Sequence, residues 1–390
     1  MKPVILIPGF GGSVLVKKGQ ERYRPYPLAK EILDNRWVNM TALTSPPSKR
    51  WREDMHYKVL MNDKHRVIGF DDIPKDIVPY DIGGTQGIRD LVPEFFYLNN
   101  KYKHRLNSAF YYRYYHDICS ALHKEGYVDN VNLRGLPYDF RLVLDPKYRE
   151  TMFEYFGKVI EQSVRLSGEK AVVVSHSLGG IMFKWFLSEF PYFQNMVETW
   201  VSISTPFGGS HYSLRAAFCG DHYIPFFKSC ILDELARNTG LIVCFPNELS
   251  YDRNETLATI GDVDISIRSY EEHANAGMIQ FQIYRDLYLP YFNLIQQPIS
   301  VATHAVISLS DNSTTGKFRT RVLGEQPNEI TMVCGDNIVG ENSLRSFEKI
   351  IYQRNMKELV LRGESDHTSP LLNKQVIDLI LNYAKSRPRC

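Results

Sequence analysis

Nine residues near the middle of the chain limit its fold more than any other stretch. Val172-Val173-Val174-Ser175-His176-Ser177-Leu178-Gly179-Gly180 runs a β-branched apolar segment into a short turn and then into a helix. A continuous apolar run reads as a strand buried on both faces, which belongs in a parallel sheet. Pro191 stops the helix after residue 190. Small residues at 175 and 179 let strand and helix close on each other, so Ser177 takes the strained position between them. The same alternation extends along the chain. Strands are expected at residues 4–7, 129–133, 171–174, 199–203, 329–333 and 359–361, and helices at 111–124, 151–166, 178–190 and 374–383. Strands alternating with helices specify an α/β fold around a mostly parallel sheet. From about residue 22 to 79 and from about 208 to 318 the pattern degrades, and both stretches read as insertions.

A serine hydroxyl becomes a nucleophile beside a base, and the base needs an acid to orient it. In a fold with such an elbow the chain order is serine, acid, histidine. His367 follows the strand at 359–361 and precedes the last helix, where the base is expected. His304, the other histidine well downstream near a strand end, sits in an apolar strand-like run and reads as a core residue. For the acid, Thr331-Met332-Val333-Cys334-Gly335-Asp336 ends an apolar strand with Gly and Asp. Asp311, after the run at 305–309, competes with it. Asp336 is favoured, since its spacing to His367 leaves room for one helix and one strand. Acyl transfer also needs donors for the developing oxyanion. The backbone N–H of Leu178 is one, and Ile7-Pro8-Gly9-Phe10-Gly11-Gly12-Ser13 is a glycine-rich loop that could bring a second.

Other chemistries find little support. Lys and Arg total 46 against 44 Asp and Glu, a balance unlike that of a dedicated nucleic-acid binder. No phosphate-binding glycine motif occurs, and the six cysteines contain no C-x-x-C pair, so neither a metal nor another cofactor is expected. Cys219 and Cys230 could close a short loop or remain free thiols. The opening apolar run at 4–7 is too short for a signal peptide, and no run of about 18 apolar residues occurs. The expected location is therefore cytoplasmic and peripheral to membranes. Aromatic residues make up 13% of the chain, which suits either a core or a wet–apolar boundary.

Together these pieces resemble the lecithin:cholesterol acyltransferase family, which includes lysosomal phospholipase A2 and phospholipid:diacylglycerol acyltransferases. The likeness runs through Pro3-Val4-Ile5-Leu6-Ile7-Pro8-Gly9-Phe10-Gly11-Gly12-Ser13, Pro137-Tyr138-Asp139-Phe140-Arg141, the Ser175–Gly180 elbow, Thr205-Pro206-Phe207-Gly208-Gly209-Ser210, Gly335-Asp336 and Asp366-His367. Arg36-Trp37-Val38-Asn39 and Trp51-Arg52-Glu53-Asp54-Met55 resemble the family's tryptophan-bearing membrane-binding segment. The resemblance implies an α/β-hydrolase core over residues 1–21, 79–219 and 313–390, a membrane-binding subdomain over 22–78 and a cap or lid over 220–312. It implies Ser177 as nucleophile, Asp336 and His367 as acid and base, and the N–H groups of Phe10 and Leu178 as the oxyanion hole. Trp37 and Trp51 would meet a phospholipid surface, as would the Phe and Tyr residues of the insertion after Ser210. The implied reaction moves a phospholipid acyl group to serine and then to water or a lipid alcohol. A neutral-lipid lipase and a non-catalytic lipid-binding protein are the alternatives. One departure is local: Asn337-Ile338 stand where the family has Gly-Thr.

Overall fold

The computed structural model describes residues 1–18, 53, 55–74, 77–91, 113–220, 232–363 and 366–385. Trp37, Trp51 and Cys230 lie outside these residues. The chain opens with β1 (Val4–Ile7) and β2 (Leu15–Lys17), followed by a hairpin of β3 (Lys58–Met61) and β4 (Val67–Asp71). Next, β5 (Ile77–Pro79) pairs antiparallel with β2. Then come α1 (His116–Lys124), β6 (Leu133–Gly135), α2 (Pro146–Ser167), β7 (Ala171–His176), α3 (Leu178–Glu189), β8 (Val197–Ile203) and α4 (His211–Cys219). The second insertion contributes α5 (Thr239–Val243), β9 (Ala258–Ile260), β10 (Val263–Ile265) and α6 (Leu289–Gln296). The chain closes through β11 (Thr303–Thr320), β12 (Glu329–Gly335), β13 (Met356–Arg362) and α7 (Lys374–Lys385).

Six strands form a parallel sheet in the order β6-β1-β7-β8-β11-β13. Its side chains alternate between two buried faces, as period-two geometry requires. Ile5, Ile7, Ala171 and Val173 pack toward α2 and α3, while Val4, Leu6, Val172 and Val174 pack toward α1 and α7. A sheet covered by helices on both faces explains why these strands are apolar throughout. This is the α/β-hydrolase architecture.

Several expected boundaries move, each for a local reason. α2 begins at Pro146, because the Asp145 side chain accepts the Tyr148 N–H at 2.8 Å and Pro146 takes the first turn. α1 begins at His116, later than expected, with Tyr114 and Tyr115 buried in the turn ahead of it. The strand expected at 129–133 starts only at Leu133, since Asn130 holds a left-handed φ of 62° and the Val128 carbonyl turns the chain back.

The largest correction concerns the strand before the candidate acid. β12 is not in the parallel sheet. β11 continues past the sheet's C-terminal edge, and β12 folds back along it antiparallel, with Ser310 opposite Gly335. The distal part of β11 also pairs with β9, which pairs with β10, so a small second sheet forms above the first. β11 starts at Thr303, within the range assigned to the cap, because its first half pairs with β8 and β13 in the central sheet.

The described aromatics after Ser210 also differ from expectation. Phe218, Phe245, Tyr270, Phe281, Tyr284 and Tyr288 are buried against one another, with the Tyr270 and Phe281 rings stacked at 4.7 Å. They form the insertion's own core. No helix among the described residues is long and apolar enough to cross a membrane.

Candidate active site

Ser177 sits between β7 and α3 with φ 53° and ψ −129°, a conformation that costs a non-glycine residue energy and persists only where its surroundings hold it. Its N–H donates to the Ile203 carbonyl of β8 at 2.9 Å. Gly179 is required on the helix side, because a Cβ there would lie 2.3 Å from the Pro8 carbonyl oxygen. Ser175 fills the position where a glycine is usual. Its buried hydroxyl accepts the Trp200 indole N–H at 2.8 Å, so the extra atoms are used in the core.

The three separated residues converge. His367 Nε2 lies 2.8 Å from Ser177 Oγ, and His367 Nδ1 lies 2.7 Å from Asp336 Oδ2. Asp336 is 0% exposed, whereas Ser177 keeps 8%. The acid is thus sealed while the hydroxyl can be reached. The other Asp336 oxygen, Oδ1, accepts the N–H groups of Ile338 at 3.2 Å and Val339 at 2.7 Å. With the carboxylate acting as acceptor, the His367 proton belongs on Nδ1 and Nε2 is free to take the serine proton. Asn337 tolerates the departure from glycine because Asn enters the left-handed region easily; its φ is 75° and its N–H donates to Thr314 Oγ1 at 2.9 Å. The His367 loop is held by Asp366, whose carboxylate accepts from Thr368 N and Oγ1 and from Ser369 N.

The competing residues lie elsewhere. His304 donates to or accepts from the Tyr383 hydroxyl at 3.0 Å, and burial pulls its imidazole below the usual range. Asp311 is exposed on β11.

The loop after β1 lies against the elbow. As the first residue of α3, Leu178 has no carbonyl one turn back for its N–H, and Phe10 lies in the facing loop. The side chains of both pack on α5 of the insertion, where a Cβ on Gly240 would come 3.0 Å from each. Tyrosines clasp this loop: the Tyr138 hydroxyl donates to the Pro8 carbonyl and the Tyr115 hydroxyl to the Ile7 carbonyl, both at 2.9 Å. Asp139 and Arg141 form a buried bidentate ion pair at 2.9 and 2.6 Å. The Arg141 carbonyl accepts Tyr57 Oη and Thr239 Oγ1, which joins both insertions to the core. Sequence reasoning assigned these tyrosines no role. Cys219 is buried and free.

Comparison with known proteins fits this geometry. Residues 97–283 match the lecithin:cholesterol acyltransferase family model, a stretch that contains Ser177 and the Asp139–Arg141 motif. Over that stretch the chain is similar to the lecithin:cholesterol acyltransferases. The lysosomal phospholipase A and acyltransferase of Canis lupus familiaris is 26% identical over 60% of the chain. Lecithin-cholesterol acyltransferase-like 4 of Arabidopsis thaliana is 26% identical over 54%, and human phosphatidylcholine-sterol acyltransferase 25% identical over 45%. The matches span 35% to 55% of those proteins' own lengths. Among solved structures, the Tle4-Tli4 complex superposes with a TM-score of 0.58 over 98% of each chain at 11% identity, a likeness of fold. Asp336 and His367 lie beyond the family match, so their candidacy rests on the geometry above.

Proposed function

We propose that this protein is a serine-dependent lipid acyl hydrolase or O-acyltransferase acting on phospholipid acyl esters at a membrane surface. The observation that carries the reading is the hydrogen-bonded series Ser177 Oγ, His367 Nε2, His367 Nδ1 and Asp336 Oδ2. In the first half-reaction His367 takes the serine proton as Oγ attacks the ester carbonyl carbon. The N–H groups of Phe10 and Leu178 stabilise the oxyanion. His367 then gives the proton to the departing lysophospholipid alcohol, leaving an acyl-serine. In the second half-reaction His367 deprotonates water or a lipid alcohol, which attacks the acyl-serine and releases a fatty acid or a new ester. Trp37 and Trp51 would help seat the protein on lipid, since indole suits the interface.

Ser177→Ala tests this. The variant should fold, lose turnover of phospholipid in liposomes and resist labelling by a fluorophosphonate probe that modifies the wild type at Ser177. Retained turnover in the variant would remove Ser177 from the mechanism.

A further inference from the structure

A buried string of hydrogen bonds runs behind the reacting atoms. The Gly9 N–H donates to Tyr114 Oη at 2.8 Å, Tyr114 Oη lies 2.7 Å from His176 Nδ1, and His176 Nε2 lies 2.9 Å from the His367 carbonyl oxygen. We infer that Tyr114 and His176 are positioning residues that tie the oxyanion loop to the backbone of the base. This rests on the reading of Ser177 as nucleophile.

The direction of the string follows from its ends. A carbonyl only accepts, so His176 carries its proton on Nε2 and presents a bare Nδ1. The Tyr114 hydroxyl therefore donates to Nδ1, and its oxygen is left to accept the Gly9 N–H. Burial drives the His176 imidazole well below its usual range, which keeps it neutral. Each station adjoins a working group: Gly9 precedes Phe10, His176 precedes Ser177, and the last acceptor belongs to His367 itself.

The sheet alone does not provide this alignment. β1 and β7 are neighbours, with Ile7 opposite Ser175, so pairing already fixes the loop against the elbow. There the fit is tight, since a Cβ on Gly9 would lie 2.7 Å from the Ser177 Cβ. β13, which leads to His367, is separated from β7 by β8 and β11. The bond from His176 to the His367 carbonyl crosses that gap directly.

The test compares Tyr114→Phe, His176→Gln, His176→Ala and the double variant Tyr114→Phe/His176→Gln. A short soluble ester is the substrate, and active sites are counted by fluorophosphonate labelling. Tyr114→Phe should lower kcat per labelled site about 10- to 100-fold with KM little changed, the scale expected when reacting groups are misplaced by up to about 1 Å. His176→Gln can still donate to the His367 carbonyl but offers nothing to Tyr114, so it should lose about as much. The double variant should be no worse than the worse single one, while His176→Ala, which breaks both ends, should lose more. Unchanged kcat per labelled site in Tyr114→Phe, or losses that multiply in the double variant, would overturn the relay. If Tyr114→Phe does not fold, His176→Gln decides alone, and an unchanged kcat overturns the proposal. Absence of labelling at Ser177 in the wild type would instead sink the nucleophile assignment.

Discussion

Replacing Asp336 by Asn isolates what the acid does. Its Oδ1 accepts two backbone N–H groups, from Ile338 and Val339. An asparagine must keep its carbonyl oxygen there, because turning its NH2 toward those donors would leave both unpaired in a fully buried site. The NH2 then faces His367 Nδ1, which can only accept from it. The imidazole proton must move to Nε2, where it points at Ser177 Oγ and blocks proton uptake. A wrong tautomer of this kind lowers turnover by about 10⁴, or roughly 5.5 kcal/mol of transition-state stabilisation. The shape of the site is retained, so the fold should change little. Stopped-flow acylation by a chromogenic short-chain ester, normalised to folded protein, measures the loss. Asp311→Asn is the comparison, and as an exposed residue it should behave like the wild type. Acylation by Asp336→Asn within tenfold of the wild type, together with a collapse in Asp311→Asn, would refute the tautomer argument and reassign the acid.

Three further outcomes follow from the same contacts. Ser175→Ala orphans the buried Trp200 indole N–H, so urea unfolding should show a loss of about 1–3 kcal/mol. His211, the first residue of α4, is buried and burial pulls its imidazole down to about 4 from 6.5, so the unfolded chain binds more protons between those values and stability falls on acidification. That difference corresponds to about 3 kcal/mol, fully present above 6.5 and lost as pH falls toward 4; His211→Phe should flatten that slope in urea titrations at several pH values. Finally, Trp37→Ala combined with Trp51→Ala should weaken liposome binding while leaving hydrolysis of a soluble ester intact; equal loss of both would count against an interfacial role.

How much of this was legible depends on how local the cause is. The elbow was readable because a β-branched run, a small–x–Ser–x–Gly spacing and a terminal proline all act within twenty residues. Asp336 was readable as the end of an apolar strand. Its delivery by an antiparallel return was not, since an apolar run looks the same in either orientation and only the length of β11 decides. The tyrosine clasp was unreadable for a different reason. A phenol's partner is set by which loops meet in space, and the sequence offers only an aromatic surplus. The described rings after Ser210 form a buried core and not a lipid-facing surface, and Tyr114, Tyr115 and Tyr138 hold the loop above the sheet.

The position of β12 also changes how the parts of the site depend on each other. Ser177 and the loop after β1 are anchored in the parallel sheet through β7 and β1. Asp336 is anchored in the arm formed by β11 and β12, whose far end pairs with β9 of the insertion. The turn beyond it is tied to the elbow side by Ser210, whose hydroxyl donates to the Ile338 carbonyl and caps α4 by accepting the Tyr212 N–H. Ser210 closes the Thr205–Ser210 motif that follows β8, so that motif serves to join the acid's turn to the central sheet. A displacement of the insertion transmitted along β9 and β11 would therefore reach Asp336 before it reached Ser177.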